Sequence, residues 1–139
     1  WAGLAGLRIG YGVFPKPFVP MLMKAKQPYN VSAAAEQAAI VTMQNISKAE
    51  ENIAKIVEQR SSLYNSLEQI PWLKPYLSQA NFIICKVEEI SALEVKQRLR
   101  KKGILIRYFD KSGLSDHIRI SIGTQEQNEI LISALKGIK

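Results

Sequence analysis

Apolar residues recur at spacings of three and four from Ile46 through Ala49, Ile53, Ile56, Val57, Leu63 and Leu67 to Ile70, a pattern that predicts one long amphipathic helix. Ser47-Lys-Ala-Glu50 marks its start as a capping box, in which the serine and glutamate satisfy orphan backbone donors of the first turn. The same device recurs at Ser91-Ala-Leu-Glu94 and Thr124-Gln-Glu-Gln127, each opening a run of helical period, and Gly103 stands where a C-terminal cap belongs. Between these helices lie Asn81-Phe-Ile-Ile-Cys-Lys-Val87, Ile104-Leu-Ile-Arg-Tyr-Phe109 and His117-Ile-Arg-Ile-Ser-Ile122, β-branched and aromatic runs of strand length, with Lys111-Ser-Gly113 as a turn. The second half therefore predicts helix, strand, helix, strand, strand, helix: a small sheet covered by helices in an α/β or α+β arrangement.

The first third of the chain is patterned differently. Pro15-Lys-Pro17 with Pro20 stops whatever precedes it, and Pro71-Trp-Leu-Lys-Pro75 separates a helical half from a mixed half. From Val31 to Met43, small and apolar residues surround most of a helix circumference, so this helix is expected to be buried on several sides. Few other elements remain to cover it, which points to more polypeptide or to a subunit interface. The run is interrupted by Ser32, Glu36, Gln37 and Thr42 and falls short of the roughly 20 apolar residues of a membrane span.

Composition adds two constraints. A single cysteine, Cys85, cannot form an internal bridge, so a disulfide-stapled secreted scaffold is excluded and a reducing compartment is expected. Nineteen Lys and Arg against twelve Asp and Glu give a net charge of +7, concentrated in the acid-free first 30 residues and in Lys96-Gln-Arg-Leu-Arg-Lys-Lys102. The second cluster ends a predicted helix, where cations stabilise the carbonyl end of the dipole, and a solvated helix terminus is its plain reading. A docking patch for a polyanion is the alternative.

Candidate chemistry emerges mostly by elimination. His117 is the only histidine and begins a strand, no Cys or His cluster has metal-ligand spacing, and His117 beside Asp116 and Ser115 is adjacency in a loop rather than a catalytic triad. Cys85 alternates within an apolar strand and reads as core. Gly3, Gly6, Gly10 and Gly12 match neither a dinucleotide fingerprint nor a P-loop, but they require a backbone that approaches something closely or takes positive φ, and Arg8 is the one charge among them. On the last strand Ile118, Ile120 and Ile122 point to one face and Arg119 and Ser121 to the other, which holds Arg119 rigidly opposite a buried aliphatic face. Such a guanidinium suits a carboxylate or phosphate through two parallel hydrogen bonds, although a surface arginine on a solvated sheet face gives the same pattern; Arg107 shares that ambiguity.

The ordered motifs Gly3-Leu-Ala-Gly-Leu-Arg-Ile-Gly-Tyr-Gly12, Pro28-Tyr-Asn-Val-Ser32, Ala80-Asn-Phe-Ile83, Gly103-Ile-Leu-Ile-Arg107 and His117-Ile-Arg-Ile-Ser-Ile-Gly-Thr124 together resemble the histidinol-phosphate aminotransferases, of the fold type I pyridoxal-phosphate family. The resemblance runs from end to end of the chain. In that family the first motif follows a lysine that forms the Schiff base with the cofactor. The matching lysine would stand immediately before Trp1, so the chain is expected to be the C-terminal portion of a longer enzyme, inactive without it.

The resemblance implies that residues 1–46 finish the large cofactor domain and that residues 47–139 form an interdomain helix and the small C-terminal domain. It implies that Arg8 grips the phosphate of pyridoxal 5'-phosphate, that Arg119 holds the acidic group of the substrate, and that Arg107 is a second arginine near the phosphate of histidinol phosphate. The implied reaction converts L-histidinol phosphate and 2-oxoglutarate to imidazole-acetol phosphate and glutamate in histidine biosynthesis, in a homodimer of the cytoplasm or a plastid, with no metal, membrane or nucleic acid. An aromatic aminotransferase or a threonine-phosphate decarboxylase is the near rival. A basic α/β nucleic-acid-binding module is the rival of another class; it lacks a stacking arrangement of strand aromatics, since Tyr108 and Phe109 point to opposite faces.

Overall fold

A computed structural model describes residues 2–138; Trp1, beside which the Schiff-base lysine is expected, lies outside them. The chain forms two compact units, the first ending at Ile53 and the second starting at Ala54, so the division falls inside the long helix.

In the first unit, short 3-10 turns at Ala5–Leu7 and Lys16–Phe18 precede helix α1, Val19–Ala25, and helix α2, Ala33–Gln44. The proline-rich stretch does not simply break the chain. Pro20 sits in the first turn of α1, where its missing N–H would have had no intrahelical partner. Ser32 caps α2 by accepting from the Ala35 N–H at 3.2 Å. The described residues do not supply the cover that the composition of α2 asks for: Ala35 is its one buried residue, while Ile40, Val41 and Met43 stand open.

Helix α3, Ile46–Glu68, is the long amphipathic helix, and it begins one residue before Ser47, so that serine lies within the first turn rather than capping it. Its stripe divides: Leu63 and Leu67 are buried, whereas Ile46, Ile56 and Val57 are exposed.

The second unit holds a four-stranded antiparallel sheet in the order β1-β2-β4-β3, built from β1, Leu73–Pro75, β2, Phe82–Val87, β3, Arg107–Tyr108, and β4, His117–Ser121. Helices α4, Ala92–Lys101, and α5, Gln125–Lys136, complete it. Strict alternation buries Ile83, Cys85 and Val87 of β2 and Ile118 and Ile120 of β4 on one face. Leu63 and Leu67 of α3, Val95 and Leu99 of α4, and Leu131 and Leu135 of α5 join them in one core. Each fully buried aliphatic side chain of this kind contributes about 1.5–3 kcal/mol.

Two strands depart from the sequence reading. β1 occupies Leu73–Pro75, where prolines predicted a break; it is an edge strand, the position in which a proline without an N–H is tolerated. β3 shrinks to two residues of the six predicted, because the chain leaves α4 through a tight cap. Gly103 at φ +76° donates to Arg100 O and Ile104 donates to Leu99 O, both at 3.0 Å, the paired bonds of a Schellman cap.

At the other helix starts, Thr124 and Gln127 form the complete capping box of α5. Ser91 occupies the N-cap of α4, but without the side-chain bond.

Candidate functional site

The sheet face turned away from the core carries the charged chemistry. Arg119 on β4 projects there between Ile118 and Ile120, whose burial fixes the strand, and it is half-buried. Its Cα partner on β2 is Ile84 and its Cα partner on β3 is Arg107. Two guanidinium side chains thus rise from directly opposed positions of adjacent strands. Like charges so placed repel and destabilise a sheet unless something negative lies between them.

No carboxylate among the described residues pairs with either arginine. Arg119 Nε is buried without a hydrogen-bond partner, and a buried donor left in that state costs stability. Instead of an anion, each guanidinium meets an aromatic ring: Arg119 Cζ lies 5.0 Å from the centroid of Phe82 and Arg107 Cζ lies 5.8 Å from that of Phe109. Arg107 is exposed. The sequence reading of Arg119 as opposite a buried aliphatic face therefore holds, and the structure brings Arg107 beside it. Chemically, two unneutralised forks on one face, one with an orphaned donor, suit a phosphate or a carboxylate.

A separate polar chain runs along the same face. Tyr76 stacks on His117 with ring centroids 5.7 Å apart, its hydroxyl 3.2 Å from Nε2, while His117 Nδ1 lies 2.6 Å from Asp116. Partial burial works to raise the Asp116 carboxyl, but its own backbone N–H and the His117 ring outweigh this and hold it below its ordinary value. Lys74 and Lys86 face each other across β1 and β2, and Glu88 bridges them at 2.9 and 3.8 Å; the hydrogen bond from Lys74 is the main reason the Glu88 carboxyl is held down. Here the sheet answers a pair of like charges with a carboxylate, which it does not do for Arg107 and Arg119. Cys85 is wholly buried, and burial pushes its thiol up to about 12, so it is core and not a nucleophile.

Arg8 belongs to the first unit. It ends the 3-10 turn at Ala5–Leu7 in the left-handed region, φ 60° and ψ 27°, with its N–H donating to Ala5 O at 3.1 Å. The positive φ anticipated among the glycines thus falls on Gly3 and on the arginine itself. A bulky residue is uncommon in that region. A Cβ added at Gly6 or Gly10 would meet nothing within 4 Å, so these glycines line open space. An exposed guanidinium in a glycine-bordered turn, with no carboxylate partner among the described residues, fits the phosphate of a cofactor.

One buried polar residue escaped the sequence reading. Asn128 of α5 donates to Gln59 Oε1 at 3.1 Å and to Gly123 O at 3.3 Å, and accepts from the Gly123 N–H at 3.1 Å. It ties the exit of β4 to α3 and so fixes the C-terminal end of the strand that carries Arg119. No local pattern separates it from a surface asparagine; its partners are 69 and 5 residues away. Asn128→Ala is expected to cost about 1–3 kcal/mol, since it orphans buried amide groups, and urea denaturation measures the loss.

Comparison with known proteins defines the class. The family model "Aminotransferase class I and II" matches residues 2–135, and the chain belongs to that family. Among its relatives is the chloroplastic histidinol-phosphate aminotransferase of Nicotiana tabacum, 44% identical over 136 residues, covering 97% of this chain and 33% of that protein. The histidinol-phosphate aminotransferase of Dehalococcoides mccartyi is likewise 44% identical, over 97% of this chain and 38% of that protein. The chain thus spans about a third of the length of these relatives.

Among solved structures, the histidinol-phosphate aminotransferase from Clostridium acetobutylicum superposes with a TM-score of 0.86 at 31% identity, over 98% of this chain and 42% of that one. The L-threonine-O-3-phosphate decarboxylase from Porphyromonas gingivalis superposes with a TM-score of 0.84 at 27% identity, over 98% and 43%.

Proposed function

We propose that this chain is the C-terminal portion of a pyridoxal-phosphate aminotransferase that transfers the amino group of L-histidinol phosphate to 2-oxoglutarate. The observation that carries the proposal is the unneutralised pair Arg107 and Arg119 on one sheet face, with Arg119 Nε buried and unpartnered. Identity of 44% to two histidinol-phosphate aminotransferases over nearly the whole chain supports the choice of substrate. The cofactor, when bound, supplies the electron sink for chemistry at the amino-bearing carbon.

The chain's own residues bind and orient. Arg8 holds the cofactor phosphate from its left-handed turn, and Arg119 and Arg107 receive the anionic end of the substrate through in-plane N–H donors. Residues 1–46 complete the large cofactor domain and residues 47–139 form the interdomain helix and small domain, a reading supported by the division of the chain within α3.

A second copy of the polypeptide is the proposed partner, supported by the open apolar side chains of α1 and α2, among them Met21, Met23, Ile40 and Val41. Cytoplasm or plastid is the proposed compartment; among the described residues no helix is long and apolar enough to cross a membrane. Two of the five cations at the basic end of α4 bond within the chain, Arg98 to Glu94 and to Ile138 O and Lys102 to Ala134 O, which supports a helix terminus over a polyanion patch.

The full-length polypeptide loaded with pyridoxal phosphate tests the reading. Glutamate is expected to form from L-histidinol phosphate and 2-oxoglutarate. Glutamate formation no faster than in buffer, or release of carbon dioxide from threonine O-3-phosphate in its place, would overturn it.

A further inference from the structure

We infer that Phe82 is a positioning residue for anion recognition, one that holds the face of the Arg119 guanidinium and leaves its edge free for the ligand. The inference rests on the proposed role of Arg119.

Phe82 lies on β2 two residues before Ile84, the Cα partner of Arg119, and therefore on the same outward face, diagonal to the arginine. The ring centroid is 5.0 Å from Cζ, within the range of a cation–π contact. Phe82 is half-buried and is not among the buried core residues, so the ring is not there to fill the interior.

The geometry distinguishes two ways of fixing an arginine. A carboxylate takes the in-plane donors, as Glu94 does for Arg98 at 2.6 Å, and the fork is then spent and its charge answered. An aromatic ring binds the flat face through its quadrupole and accepts none of the in-plane N–H groups. Held over the Phe82 ring, Arg119 keeps its charge and its edge donors while losing conformational freedom before the ligand arrives, so less freedom is lost on binding. Arg119 Nε is buried without a partner, and the ring 5.0 Å from Cζ supplies no acceptor for it. Phe109 stands in a comparable relation to Arg107 at 5.8 Å, but that arginine is exposed and gains less.

The test compares Phe82→Leu, Phe82→Met and Phe82→Tyr in the full-length polypeptide, with folding checked by thermal melting. Two readouts are taken: kcat and KM for L-histidinol phosphate, and the affinity for inorganic phosphate, followed by the NMR signal of Arg119 Nε–Hε. The aliphatic variants are expected to weaken phosphate binding by about 3- to 10-fold and to raise KM similarly with kcat within about twofold, as loss of a cation–π contact predicts. Phe82→Tyr is expected to restore both. The two aliphatic variants back each other up should one fold poorly.

Wild-type phosphate affinity in a folded aliphatic variant, failure of tyrosine to restore it, or absence of phosphate binding to the wild type would each overturn the inference. If the wild type forms no glutamate while phosphate binding still follows the ring, the proposed reaction falls and the role of Phe82 stands.

Discussion

Replacing Arg119 with alanine is expected to lower kcat/KM for an anionic amino donor by about 10²- to 10⁴-fold, since hydrogen bonds to charged groups are worth about 1.5–3 kcal/mol each and a bidentate fork supplies two. The same substitution is expected to change stability by no more than about 1 kcal/mol, because the cation–π contact with Phe82 that it removes offsets the repulsion that it relieves. Arg119 stands directly opposite Arg107, and like charges in that relation destabilise a sheet by a few tenths of a kcal/mol to about 1 kcal/mol. Removing one of them relieves the repulsion and abolishes the orphaned buried Nε at the same time.

A residue whose loss impairs binding but not folding has been retained for its ligand. Steady-state kinetics with a phosphorylated donor and with its unphosphorylated counterpart, together with a melting curve, measure both arms. Equal losses for the two donors, or a fall in melting temperature of many degrees, would overturn the assignment. Arg119→Lys is expected to recover little, because an ammonium cannot form two parallel bonds from one plane.

The contrast between Lys74–Lys86 and Arg107–Arg119 explains why charge counting alone does not find such a site. Both are opposed cation pairs on the same four-stranded sheet. The lysines share Glu88, an answer supplied by the chain itself, whereas among the described residues the arginines are met by Phe82 and Phe109 and by no carboxylate. The difference lies in the neighbours: Glu88 and Phe109 are each two residues from one member of their pair, whereas Phe82 reaches Arg119 from another strand.

Legibility in the sequence follows the same division between local and distant causes. The periodicity of α3, the capping box at Thr124, Gly103 as a C-terminal cap and the alternation along β2 and β4 are local properties, and each appears where the sequence places it. The two-residue β3 and the edge strand at Leu73–Pro75 depend on what pairs with them. Alternation at 104–109 cannot show that the cap of α4 delays pairing until Arg107, and prolines do not disclose that an edge is available. Arg119 and its outward orientation were legible, and so was Arg107 as a candidate. Their opposition across β3 and β4, the contact of Arg119 with the Phe82 ring and the clasp of Asn128 were not, because register and tertiary contact are invisible to spacing. The surface of α2 is a further case: its composition asks for cover on several sides, and the described residues supply it only at Ala35.

Ile120→Ala is expected to destabilise the second unit by about 2–5 kcal/mol, the cost of a large-to-small change in a closed core. Ile120 is 1% exposed, pairs in register with Ile83 of β2 and lies next to Arg119 on the opposite face of β4. Against a typical stability of about 5–15 kcal/mol this is a large share. Urea denaturation of the full-length polypeptide is expected to show an earlier transition for this unit, while phosphate affinity well below that transition stays within about threefold, because the guanidinium and Phe82 are on the other side of the sheet. Ile122→Ala serves as the comparison. The alternation along the chain gives Ile118, Ile120 and Ile122 equal standing, yet β4 ends at Ser121 and Ile122 is only half-buried, so its truncation is expected to cost less. A loss below about 1 kcal/mol for Ile120→Ala, or a larger loss for Ile122→Ala, would show that β4 is not held by its inner face. The rigidity attributed to Arg119 would then have no source.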